Sequence, residues 1–397
     1  MEPPKPFLSF GGGGRGNFPP RCLVSSCGTN KPIAKGVFIV AAKRTPFGTY
    51  GGLLKDFTAT DLTEHAARAA LAAGKISPEI IDSVIVGSVM QSSADAIYIA
   101  RHVGLRVGVP VPVPALTVNR LCGSGFQSIV SGCQEICLND SEVVLCGGAE
   151  NMSQAPYAVR NIRFGTRLGA ELKLEDTLWE GLTDTHVKIP MAVTAENLAV
   201  KYNITREDCD RYAFKTQQRC KAAHDAGYFN AEMAPIEVKT KKGKESMQKD
   251  EHPKPQTTLE QLAKLPSIFK KDGTVTAGNA SGVCDGAGAV VIASESALKK
   301  HSLTPLARVV AYHSAGCDPS IMGIGVLAMC TPFSSYSVAQ ARVGFQDTHL
   351  FRYYFGKPTI LFLLVPYFML PSQVAVNANK PSKPVQTPQD SSLLFSL

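Results

Sequence analysis

No apolar run in this sequence is long enough to cross a bilayer. The longest, residues 359–370, is interrupted by Pro366 and falls short of the roughly 20 residues a spanning helix needs, so no membrane span is expected. The chain also lacks zinc-finger spacing, an aromatic and glycine nucleic-acid signature, and a basic recognition helix, which argues against nucleic acid as a partner. A disulfide framework is missing too. The eleven cysteines are irregularly spaced over 397 residues, and Cys133, Cys137 and Cys146 fall inside apolar runs, where reduced core thiols are expected. A reducing compartment follows. Cys133 and Cys137 lie one helical turn apart with no histidine or second cysteine pair beside them, so no metal site is expected. Acidic side chains are nearly absent from the first 35 residues, where Glu2 stands alone against Lys5, Arg15, Arg21, Lys31 and Lys35. That charge pattern fits an organelle-targeting leader, but the glycines at 11–14 and the prolines disfavour the amphipathic helix such a leader uses. A leader and a low-complexity extension both stay open.

What is present belongs to a globular protein. Hydrophobic residues make up 44% and charged residues 19%, and the length accommodates two or three domains with real cores. The net charge of +8 suits an anionic partner without identifying one. Residues 36–42 read as a buried strand closed by a loop through Lys43, Arg44, Pro46 and Gly48. Residues 60–64 read as a helix start, with Leu62, Ala66, Ala69, Ala70 and Ala73 on one face. Strands follow at 84–86, 115–118 and 143–146, the last ending in Gly147-Gly148. Strands alternating with helices predict a parallel sheet covered on both faces. The alternation stops between about 151 and 273, where charged helical pieces at 195–201 and 206–226 alternate with loops rich in Pro, Lys and Gly. This predicts an inserted, largely helical subdomain. Its lysine run, 239–244, reads as a solvated loop. The sheet resumes with the apolar strand 287–293 and another begins at 306–312. Beyond Gly325 the pattern fades.

One stretch stands out chemically: Asn119-Arg120-Leu121-Cys122-Gly123-Ser124-Gly125 puts a cysteine between a short apolar strand, expected to be buried, and a helix whose face is Phe126, Ile129, Val130, Cys133 and Ile136. A thiol near the positive end of a helix is favoured as thiolate, with backbone N–H groups close by. A half-buried helix-cap cysteine is the alternative reading of the same pattern.

Several segments together resemble one family, the thiolases. They are residues 41–48 (AAKRTPFG), 119–125 (NRLCGSG), 147–153 (GGAENMS), 194–199 (TAENLA) and 276–282 (TAGNASG), in the family's order. The likeness runs from about Gly36 to Gly325. It implies an α/β, thiolase-like layered fold with a mixed, mostly parallel sheet, an inserted helical loop domain and an incomplete second half. The expected divisions are an extension at 1–35, an N-terminal thiolase domain at 36–152 and 274–302, the inserted loop domain at 153–273, the start of a C-terminal domain at 303–325 and an atypical tail at 326–397. The resemblance implies thiolysis of a 3-ketoacyl-CoA by CoA in fatty-acid β-oxidation, with acetyl-CoA as one product, in mitochondria. Cys122 is then the nucleophile, and its backbone N–H helps hold the oxyanion. Lys254, Thr257 and Ser281 match positions that contact coenzyme A, a co-substrate and not a permanently bound cofactor. Lys254 stands where an arginine is frequent, and an ammonium recognises phosphate less specifically than a guanidinium fork. As bare residues, Lys254 also reads as an ordinary loop lysine and Ser281 as part of a tight turn. A homo-oligomer, or pairing with a full-length thiolase, is expected from the same resemblance.

The family's general base, proton-shuttling cysteine and an oxyanion-hole asparagine come from the motifs Asn-Glu-Ala-Phe, Gly-His-Pro and Cys-x-Gly-Gly-Gly, none of which occurs in this sequence. After Ser320 the sole histidine is His349 and the sole cysteine Cys330, both in unrelated contexts. Impaired turnover is the expectation, since a general base or acid contributes about 10²–10⁴ in rate. A non-catalytic CoA-binding or thiolase-pairing chain is the alternative.

Overall fold

The computed structural model describes residues 36–309, 312, 314 and 316–324. The extension at 1–35, the tail at 326–397 with its apolar run, His349 and Cys330 lie outside the described residues.

The chain opens with β1 (Val37–Arg44) and the short β2 (Gly48–Thr49), then α1 (Ala59–Gly74). The helix begins slightly earlier than its sequence signal. Thr58 caps it, its hydroxyl accepting from Asp61 N at 3.0 Å while Asp61 Oδ2 accepts from Thr58 N at 3.0 Å. β3 (Ser83–Gly87), α2 (Ile99–Val107), β4 (Ala115–Val118), α3 (Ser124–Leu138) and β5 (Val143–Asn151) follow. The inserted segment carries β6 (Tyr157–Val159), β7 (Leu174–Asp176), α4 (Thr177–Gly181), β8 (Thr183–Asp184), β9 (Ile189–Pro190), α5 (Met191–Tyr202) and α6 (Arg206–Asp225). It ends with β10 (Ile236–Thr240), β11 (Gly243–Met247) and α7 (Leu259–Ala263). β12 (Cys284–Ser294), α8 (Glu295–Lys300) and β13 (Ala307–Val309) return to the main sheet.

That sheet has the order β13-β1-β12-β5-β3-β4, with β2 on β12. It is mixed, as expected. β1, β3, β4 and β5 share one direction, while β12 and β13 oppose them: β12 is antiparallel to β1 and β5, and β3 is parallel to β5 and β4. The physical reason is connectivity. Helical crossovers bring β3, β4 and β5 back in one direction, whereas β12 arrives from the inserted segment and fills the gap between β1 and β5 the other way round. Alternate residues feed two cores. Val84, Val86, Val143, Leu145, Ala289 and Val291 pack under α1 and α2, while Ile85, Val144, Cys146, Val290 and Ile292 pack under Ile129, Cys133 and Ile136 of α3.

Three expectations change. β4 is an outer strand of the sheet and not a buried one: no strand pairs beyond it among the described residues, and Leu116 is exposed. The inserted segment is helical only in part, since three two-stranded hairpins alternate with its helices. The lysine run is no loop but the tip of the β10–β11 hairpin: Ile236, Val238 and Met247 point into the main core, and the intervening lysines face solvent, Lys244 pairing with Glu237 at 2.6 Å. No helix among the described residues is long and apolar enough to cross a membrane.

Candidate active site

Cys122 stands on a sharp turn between β4 and α3, one residue before the helix N-cap Gly123. The preceding Leu121 sits at φ +47°, a left-handed conformation that costs a branched residue roughly 1 kcal/mol or more. The surroundings over-determine it. Asn119 Oδ1 accepts from Leu121 N at 2.9 Å, and Gly123 N donates to Arg120 O at 3.1 Å. The buried Ser124 hydroxyl accepts from Arg120 N at 2.8 Å and donates to Leu121 O at 2.5 Å. Four short bonds thus brace a turn whose product is the placement of one thiol.

The foot of α3 is also pressed onto the sheet. A Cβ at Gly87 would lie 2.3 Å from the carbonyl carbon of Ser124, and one at Gly148 would lie 2.8 Å from Gly125 Cα, so both strands must carry glycine where the helix begins. Gly87→Ala is expected to lift the first turn of α3 from β3, at a cost of about 1–3 kcal/mol. Its melting temperature should fall and Cys122 should alkylate faster as the turn opens; unaltered melting would contradict the packing argument.

The Cys122 side chain opens into a pocket whose walls include Gly87, Met90, Glu150, Met152, Leu178 and Leu182. α4, from the inserted segment, thereby supplies one wall. Burial in this mostly apolar site pushes the Cys122 thiol up to about 11. Its own backbone N–H pulls the other way, and the Glu150 charge adds to the rise. This corrects the expectation of a helix-stabilised thiolate: desolvation outweighs the N–H groups at the start of α3. Burial thus favours the neutral thiol at Cys122.

Glu150, on β5 and 3% exposed, is the functional candidate that sequence reading passed over, although it lies inside the 147–153 motif. Its Oε1 accepts from Val89 N, from Met90 N at 3.3 Å and from Ser88 Oγ at 3.3 Å, and Oε2 accepts from Met90 N at 3.2 Å. Burial raises its carboxyl to about 7, these donors holding it from going higher. A carboxylate at the end of an otherwise apolar strand was the available signal.

The three CoA candidates lie on two loops that meet. Thr257 N donates to Lys254 O at 3.0 Å, forming a turn with Lys254 exposed and Thr257 half-buried. His252, two residues before Lys254, packs its ring over Gly282, next to Ser281: a Cβ on Gly282 would fall 2.0 Å from the imidazole. Burial and the Lys254 charge both hold His252 below its usual range. None of the three lines the Cys122 pocket itself. Other motif residues are braces. Glu196, buried, accepts from Val275 N at 2.8 Å and Thr274 N at 2.9 Å. Asn279 Nδ2 donates to Asp210 Oδ1 at 2.9 Å and Thr274 O at 2.8 Å. Together they fix the loop leading to Ser281. Among the described residues no His, Cys, Asp and Glu cluster could hold a metal ion.

The family described as thiolase, N-terminal domain, matches residues 37–296. The mitochondrial 3-ketoacyl-CoA thiolase of Bos taurus is 77% identical over 293 residues, 74% of each chain, and that of Homo sapiens is 71% identical over 318 residues, 80% of this chain and 79% of its own. The crystal structure of human mitochondrial 3-ketoacyl-CoA thiolase in complex with CoA superposes with a TM-score of 0.75 at 71% identity, covering 77% of this chain and 76% of that one.

Proposed function

The chain belongs to the thiolase family, and on that premise we propose that Cys122 accepts acyl groups from thioesters of coenzyme A. The reaction is thiolysis. The Cys122 sulfur attacks the keto carbon of a 3-ketoacyl-CoA, the bond to the adjacent carbon breaks, and acetyl-CoA leaves with the proton given up by the thiol. A second CoA then takes the shortened acyl group and returns a proton to Cys122. Its setting is fatty-acid β-oxidation in mitochondria, a reading supported by the names of the similar proteins. The observation that carries the proposal is the braced turn that delivers one thiol into an apolar-walled pocket closed by α4. Lys254, Thr257 and Ser281 form the CoA-contacting face, supported by the meeting of their two loops at His252 and Gly282. Coenzyme A is a co-substrate, and the protein works as an oligomer with itself or with a full-length thiolase.

Turnover is slow in this reading. The sequence contains no Gly-His-Pro or Cys-x-Gly-Gly-Gly motif, and a thiol at about 11 has little nucleophilicity without a base. Incubation with a labelled 3-ketoacyl-CoA is expected to place label on the Cys122 peptide, slowly, and none on Cys122→Ser. Lack of both acylation and CoA binding would sink the proposal, and turnover matching a complete thiolase would remove its claim of impairment. Lys254→Glu should weaken CoA binding about tenfold by calorimetry, the scale of one lost charge-assisted phosphate contact. The same missing motifs favour a second reading, a non-catalytic chain that binds CoA or pairs with full-length thiolase. CoA binding without any acylation would select it.

A further inference from the structure

We propose that Glu150 is a positioning residue, holding the Ser88–Met90 segment through its carboxylate and laying its negative charge in the pocket that the Cys122 sulfur enters. The inference rests on Cys122 being the nucleophile, although its test needs no catalysis. Glu150 Oε1 receives three donors from consecutive residues, Ser88 Oγ, Val89 N and Met90 N. A loop emerging from a buried strand would otherwise leave the Val89 and Met90 N–H groups unpaired next to apolar walls. Val89, Met90, Cys122 and Glu150 all line the same pocket. The carboxylate that braces this segment thus lines the same pocket as the thiol.

The charge is not spent on the brace. No cation pairs with Glu150 among the described residues; β3 and the loop after it offer only N–H and O–H donors, and Cys122 from the turn before α3 is the titratable group coupled to it. When Glu150 is ionised, its field disfavours a second negative charge on the sulfur. When it is protonated or bound by a donor from a substrate, that opposition ends. Glu150 therefore ties two properties together: the shape of the wall and the protonation of the nucleophile.

These two roles separate by substitution in the full chain. Glu150→Gln removes the charge and keeps Oε1 as the acceptor for Ser88 Oγ and Val89 N, giving up only the Oε2 bond from Met90 N, whereas Glu150→Ala removes the charge and every acceptor. The probes are iodoacetamide alkylation of Cys122 across pH, followed on its peptide by mass spectrometry, and amide exchange at Val89 and Met90. Glu150→Gln is expected to alkylate at least threefold faster than the parent at about pH 8.5, with its profile moved to lower pH and exchange at Val89 unchanged. Glu150→Ala is expected to speed that exchange at least tenfold. A Glu150→Gln alkylation profile superimposed on the parent overturns the electrostatic role, and protected amides in Glu150→Ala overturn the brace. Should Glu150→Ala not fold, Glu150→Gln carries the test alone: loss of protection at Val89, despite its retained acceptor, or an unmoved profile counts against the proposal. An acylation failure in the parent would leave these readouts intact, so the two readings fail separately.

Discussion

Alkylation of Cys122 should accelerate about a thousandfold between pH 7 and pH 10. The thiol is held up to about 11, chiefly by burial and further by the Glu150 charge, so over that whole interval the neutral form dominates. Below its pKa the thiolate fraction grows tenfold for each pH unit, from about 10⁻⁴ at pH 7 to about 10⁻¹ at pH 10, and only the thiolate reacts. The sign is fixed by the direction of the shift: a raised thiol pKa moves reactivity to higher pH. A thiolate stabilised by the start of α3 would instead give a profile that flattens near pH 7 or below. Peptide-resolved mass spectrometry isolates Cys122 from the exposed Cys317, and Cys122→Ser supplies the blank. A flat profile would mean that the N–H groups of the helix outweigh desolvation. It would also remove the main physical ground for slow acylation.

The largest stability effect should come from Arg44. This residue ends β1, buried, and its guanidinium reaches Asp250 Oδ1 at 2.7 Å and Oδ2 at 3.1 Å, and Glu232 at 2.7 Å. Phe47 N donates to Asp250 at 2.8 Å, and the Phe47 ring lies 4.7 Å from the guanidinium. Burial pushes Asp250 upward, but His224 and Arg44 beside it hold its carboxyl well below the usual carboxylate range. One side chain of the main sheet thus fastens two points of the inserted segment. Arg44→Met keeps the length and removes the charge, leaving two carboxylates facing each other's field in a dry site. A loss of about 3–5 kcal/mol is expected, the scale for breaking a buried pair from one side. For a chain of this size that corresponds to a fall in melting temperature on the order of 10 °C. Adding Asp250→Asn to Arg44→Met should recover part of the loss, because one stranded charge is gone. Equal melting of Arg44→Met and the parent would show that the cluster contributes nothing net.

The same residue illustrates what a sequence does and does not expose. Arg44 lies in the first of the five family segments, yet the segment alone says nothing of Asp250 and Glu232, which are about two hundred positions away in the chain. Glu196 and Asn279 behave likewise: each sits in a recognisable segment, and each turns out to brace backbone. Motif membership marked these residues without separating chemistry from scaffolding. Glu150 is the converse case, legible as a polar residue closing an apolar strand but silent about Ser88, Val89 and Met90 until β3 and β5 lie side by side.

The sequence by itself determined the strands and helices around Cys122, the inserted segment and the family, because period, capping residues and ordered segments are local properties of the chain. α1 starts at Ala59, capped by Thr58, one residue ahead of the start at 60–64 that the sequence predicts. The tertiary structure alone decided that β12 runs against β1 and β5, that β4 is an outer strand, and that the lysines sit on a hairpin tip. It decided the state of the thiol as well. A helix start speaks for ionisation and can be read from seven residues, but the desolvation that overrules it comes from Met90, Glu150, Met152, Leu178 and Leu182, which only folding brings to one sulfur atom.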